Sequence, residues 1–133
     1  MDGNRRVLEF ITHTTWDRVP PEVQHTARMA LLDVLGATLA GTLTRVGRIA
    51  AQFAAETWPG GESTILLTGR RASSTGAAFA NGYAANGVDI DDCGLYTRGH
   101  PGVQIFPTAL ALAEARGLGG AQMLAAMVIG YEV

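Results

Sequence analysis

Lysine is absent from the 133 residues, so all ten cationic side chains are arginine. Twelve acidic residues outnumber them, the formal charge is −2, and the pI is near 5.8. No basic stripe is available for a nucleic-acid backbone, and nucleic acid is not an expected partner. There is one cysteine, Cys93, which excludes an internal disulfide. Long apolar runs are also missing. The most apolar segment, "MALLDVLGATLAGTL", carries Asp33 and two glycines and falls short of the roughly 20 residues that span a bilayer. It reads as a core helix, and no membrane is expected. The first residues, "MDGNRRVLEFITHTTWDRVP", are polar and amphipathic where a secretory signal needs an unbroken apolar stretch, so the cytoplasm is the expected compartment.

What is present is a 47% apolar chain of the size of one domain. Val7, Leu8 and Ile11 recur at helical spacing, and Pro20-Pro21 closes that element. From Pro21, Val23, Ala27, Ala30, Leu31, Val34, Leu35, Thr38 and Leu39 form one broad stripe, which predicts a helix from about Pro21 to about Thr42 at the centre of the fold. "RVGRIAAQFAAETW" repeats the pattern and stops at Pro-Gly-Gly. "ESTILLTGRR" is the single stretch with strand-like content. Ser73 or Ser74 then caps "TGAAFANGYAANGV", whose small residues let another helix approach closely. Two further helices, "PGVQIFPTALALAEAR" and "GAQMLAAMVIGYEV", are separated by "GLGG". The expected fold class is all-α, a single bundle-like helical domain over 1–133 with at most one short extended segment. "MLAAMVIGYEV" is apolar and lacks a Gly or Pro stop. It predicts cover by more protein, either a missing C-terminal portion or a partner chain, the latter a second copy or a complementary chain.

Between two of these apolar helices lies "VDIDDCGLYTRGHPG", which gathers Asp89, Asp91, Asp92, Cys93, Tyr96, Thr97, Arg98 and His100. A histidine titrates near neutral pH, so His100 is the best-suited proton-transfer group, with Asp89 to orient it or serve as a second acid or base. His100-Pro101-Gly102 stands just before a helix, where backbone N–H groups favour a carboxylate anion. Arg98 offers a bidentate clamp for the same ligand, and Tyr96 and Thr97 offer hydroxyls. Asp92 is a candidate substrate contact. Asp91 and Asp92 are also the residue type that caps helices or stays solvated on loops. His13 and His25 read as ordinary polar residues on helix surfaces. A lone cysteine commonly serves packing, and Cys93 has no lysine beside it to favour a thiolate. No paired histidine spacing supports a metal, and none is expected.

The words "ALLDVLGATLAG", "LLTGRRASSTGAAFANGYAANGVDIDD", "HPG" and "PTALALAEARGLGGAQMLAAMVIGYEV" resemble the N-terminal helical domain of the MmgE/PrpD superfamily. That superfamily includes 2-methylcitrate dehydratase, cis-aconitate decarboxylase and iminodisuccinate epimerase. The order N-G-x-x-A-x-x-x-D-x-D-D, then H-P-G eight residues on, then A-L-A-L-A-E and G-Y-E-V, carries the resemblance. It implies an enzyme that shifts a proton beside a carboxylate of a small di- or tricarboxylate, without metal or organic cofactor. It also implies dimers, and a second, α/β domain after the part represented here. The resemblance maps catalytic positions onto Asp89, Cys93 and His100. Cys93 and Gly94 stand where the family usually has Thr and often His. The family's remaining catalytic groups, lysines and a further histidine, lie downstream. The residues therefore leave open a split enzyme completed by a second chain, or a non-catalytic helical module that self-associates.

Overall fold

The computed structural model describes residues 2–94 and 98–133. Helices α1 (Gly3–His13) and α2 (Pro21–Thr42) flank a 3-10 turn at Trp16–Arg18, and α3 (Arg45–Thr57) leads into strands β1 (Ser63–Ile65) and β2 (Arg70–Ala72). Then come α4 (Ser74–Ala85), α5 (Gly102–Arg116) and α6 (Gly120–Glu132). Local chemistry sets several starts. The Thr44 hydroxyl accepts the Gly47 N–H at 3.0 Å, and the Ser73 hydroxyl accepts that of Gly76 at 3.2 Å. Each satisfies a first-turn donor that the helix itself leaves free.

The centre of the fold is α4 rather than the expected α2: α4 packs against α2, α3 and α5 at once. The reason is side-chain size. Gly76, Ala77, Ala80, Ala84 and Ala85 of α4 are buried and allow three neighbours to come near, whereas in α2 burial begins only at Val34. At Gly41 of α2 an added Cβ would run into the carbonyl oxygen of Ala84, so these two helices cross almost backbone to backbone. Two apolar clusters flank α4. One joins Ala54, Ile65, Ala77 and Ala80 with Trp58 and Phe79; the other joins Val34, Ala85, Phe106 and Met127.

The strand-like stretch forms two short strands rather than one extended segment, paired Ser63 to Ala72 and Ile65 to Arg70. A two-stranded ribbon is marginal by itself, and side chains from two helices hold this one. Asn81 of α4 accepts the Leu66 N–H at 3.0 Å and donates to the Thr64 carbonyl at 3.0 Å. Glu114 of α5 accepts the Thr64 N–H and hydroxyl at 2.6 and 2.7 Å. The amphipathic α1 buries none of its residues, and Val7, Leu8, Phe10 and Ile11 are exposed. Among the described residues no single helix is long and apolar enough to cross a membrane.

Candidate active site

The packing of α4 on α5 brings the two ends of the 86–101 loop together. The chain leaves α4 through a turn in which the Asp89 N–H reaches the Asn86 carbonyl at 3.2 Å, and Asp89 adopts a left-handed φ of 53°. Aspartate tolerates that conformation better than most residues. Further on, the Gly94 N–H donates to the Gly99 carbonyl at 2.9 Å and folds the loop back on itself. Its return is anchored by Asp92, which accepts the Gly102 N–H at 3.0 Å through Oδ1 and the Tyr131 hydroxyl at 2.7 Å through Oδ2. At Gly102 an added Cβ would stand 2.6 Å from Asp92 Oδ1 and 2.9 Å from the Tyr131 hydroxyl, so a larger residue would push this bonded pair aside. Burial and the Asp92 carboxylate push the Tyr131 phenol well above its ordinary range.

This anchoring sets His100 between the other two aspartates. Its Nδ1 lies 2.8 Å from the Asp92 carbonyl oxygen and 2.9 Å from Oδ2 of Asp91, and its Nε2 lies 3.6 Å from Oδ1 of Asp89. The Asp91 side chain is 0% exposed, that of His100 30%, and that of Asp89 80%. The ring therefore bridges from the interior to the surface. Around Nδ1 both close neighbours are acceptors, which places a proton on that nitrogen. The N–H aligns with the Asp92 carbonyl; Asp91 Oδ2 is close but poorly aligned, so it acts on the ring through charge. Burial disfavours the charged ring, but Asp91, the Asp92 and Asp91 carbonyls and Asp89 outweigh it, and His100 titrates above its ordinary 6.5.

Asp89 and His100, expected together, do meet. Asp92, read as a candidate substrate contact and also as a residue type that caps helices, takes the capping role: it accepts the first N–H of α5, where an anion was expected to dock, and gives its other oxygen to Tyr131. Asp91, expected to cap a helix or lie solvated, is buried against the ring. No local spacing signals this, because the chain turns at Asp89 instead of running extended. Cys93 is exposed rather than packed, and Arg98 is exposed, with a left-handed φ of 50°. Tyr96 and Thr97 lie outside the described residues. His13 and His25 are exposed on α1 and α2.

Asp89, Asp91 and His100 present ligand atoms within 4.8 Å of one another. The arrangement fits a metal poorly. Nδ1 and Asp91 Oδ2 already face each other at 2.9 Å, which leaves Nε2 and Asp89 facing outward. That is fewer than the three or four protein ligands of a typical zinc site. A groove of about 680 Å³ lies beside the loop, lined by Val46, Phe79, Tyr83, Asn86 and Val103. Among the described residues its lining contains none of the loop's ionisable groups.

Residues 5–133 match the MmgE/PrpD N-terminal domain. The chain is 37% identical to human cis-aconitate decarboxylase over 128 residues, which is 92% of this chain and 25% of that enzyme. It is 26% identical over 140 residues to a cis-aconitate decarboxylase-like protein of Aspergillus oryzae, covering 98% of this chain and 29% of that one. No solved structure matches. The chain thus spans about a quarter of the length of these relatives. A helical fold built around α4, with the aspartate-rich loop leading into H-P-G ahead of α5, is the part of a known family that this match describes: the chain belongs to the MmgE/PrpD family, over its N-terminal domain.

Proposed function

We propose that the chain forms the helical part of a lyase or isomerase that acts on small di- and tricarboxylates by moving a proton beside a carboxylate, with His100 carrying the proton. The observation behind this reading is the imidazole held between Asp91 and Asp89 with its Nε2 on the open side. With a proton resident on Nδ1, Nε2 is the atom that gives or takes. In a decarboxylation the broken C–C bond leaves its electron pair on carbon, and an Nε2–H supplies the proton that quenches it. In dehydration or epimerisation a neutral Nε2 removes a proton from the carbon beside the carboxylate. Asp89 serves as the second acid or base, Cys93 as a weak donor at the site's edge, and Arg98 and Thr97 as contacts to substrate carboxylates. No metal or organic cofactor takes part, and the place of action is the cytoplasm.

The names of the relatives make cis-aconitate the first substrate to test. The chain has no lysine, and its other histidines lie on α1 and α2. The remaining groups of the site come from outside residues 1–133, supplied by further parts of the protein or by a second chain. In the full-length protein, with its complementary chain where there is one, release of CO2 from cis-aconitate and binding of related carboxylates are measured. His100→Ala is expected to lower kcat/KM by about 10²–10⁴-fold with unchanged circular dichroism and thermal midpoint. Equal activity, or unfolding without a separate effect on ligand, overturns the reading.

A second reading, a non-catalytic module that self-associates, is favoured by one observation: α3 exposes Val46, Ile49 and Phe53 along one side. A homo-oligomer by sedimentation that neither binds nor turns over carboxylates supports it over the first.

A further inference from the structure

The described residues contain four buried polar or charged side chains: Thr38, Ser63, Asn81 and Asp91. Three have aligned partners. Thr38 donates to the Val34 carbonyl at 2.6 Å, Ser63 to the Ala111 carbonyl at 2.7 Å, and Asn81 bonds Leu66 and Thr64. Asp91 alone of the four has both carboxylate oxygens buried without an aligned donor. A buried carboxylate in that condition is costly, and the nearest group able to offset it is the His100 ring, 2.9 Å away. Outward rotation would solvate Asp91, yet its side chain is fully enclosed.

We infer that Asp91 is a positioning residue for His100, holding the ring as the Nδ1–H tautomer and favouring its protonated form, so that Nε2 faces the reacting carbon. The inference rests on the proposed proton-transfer role of His100 and adds a residue to it. It also gives the three aspartates distinct roles, in which Asp92 anchors the loop to α5 and α6, Asp91 sets the ring from inside, and Asp89 stands at the open side. The charges that bear on the ring are those of Asp91 and Asp89. From α6, Tyr131 faces Asp92, and Asp33 of α2 bears on Tyr131. The upward shift of His100 is consistent with this division.

The test is an NMR titration of the full-length protein with isotopically labelled histidine, His100 being assigned by its loss in His100→Asn. In the wild type the ring is expected to titrate above the ordinary histidine value and, once neutral, to show the Nδ1–H tautomer. Asp91→Asn is expected to lower the midpoint toward the ordinary value, shift the corresponding limb of the kcat profile by the same amount, and reduce kcat by about 10²-fold. A midpoint that Asp91→Asn leaves unmoved overturns the inference. Should that variant fail to fold, the wild type still decides: an unshifted His100, or an Nε2–H tautomer in its neutral form, overturns it. These ring signatures need no substrate. A wild type that shows them but turns over no carboxylate supports the assignment of Asp91 and strikes only the proposed function.

Discussion

The Tyr131 hydroxyl donates to Oδ2 of Asp92 at 2.7 Å, joining the last turn of α6 to a loop residue 39 positions earlier. The other oxygen of the same carboxylate holds the first N–H of α5. One aspartate thus ties two helices and the path of the loop together, and His100 takes its place only because that path is set.

Removing either partner is therefore expected to loosen the loop. Tyr131→Phe should cost about 1 kcal/mol, somewhat below the usual range for a bond to a charged group because Tyr131 is partly exposed. Asp92→Ala should cost about 1.5–3 kcal/mol, since it also frees the α5 N–H. Denaturant titration measures both. The double variant should cost less than the sum, because the two residues share one bond; full additivity would show that the contact contributes nothing.

Stability should depend on pH through His100. Its pKa is raised in the folded state, so the protonated ring contributes stability that is complete below the unfolded value, near 6.5, and is lost as pH rises through the folded value. The thermal midpoints of wild type and His100→Asn should differ most at about pH 6 and converge toward alkaline pH. A gap that widens as pH rises would contradict the geometry.

Gly41→Ala is expected to be among the most damaging single substitutions in the core. The added methyl meets the Ala84 carbonyl, which is backbone of the central helix and cannot swing aside. Overpacking of this kind costs about 3 kcal/mol or more. The thermal midpoint reports it. Gly36→Ala in the same helix serves as the control, because its Cβ meets nothing within 4 Å, and it should be neutral or mildly stabilising.

Much of the fold was legible in the amino-acid sequence. Helix existence followed from apolar spacing, and the α2 and α5 boundaries from Pro21 and the Gly117 stop. The Ser73 cap and the close approach of α4 followed from residue type. These features rest on interactions within a few residues of each other, and such interactions are written along the chain. The loop between α4 and α5 could likewise be picked out as the place where chemistry gathers, because ionisable side chains are concentrated there in an otherwise apolar chain.

The separate roles of the three aspartates were not legible in that way. Asp89, Asp91 and Asp92 are the same residue within four positions, and composition cannot separate them. Tyr131, far along the chain, and the first N–H of α5 at Gly102, which has no partner within the helix, claim Asp92. With that residue held, Asp91 turns inward to His100 while Asp89 stays in solvent. The centre of the fold was decided at the same level: α2 has the longer apolar stripe, but the alanine and glycine face of α4 admits three neighbours. The sequence by itself determined which helices form and where the reactive groups cluster, because propensity, capping and periodicity are local. Which aspartate anchors, which sets the ring and which meets the solvent depended on contacts between residues distant in the chain, and only the tertiary structure decided it.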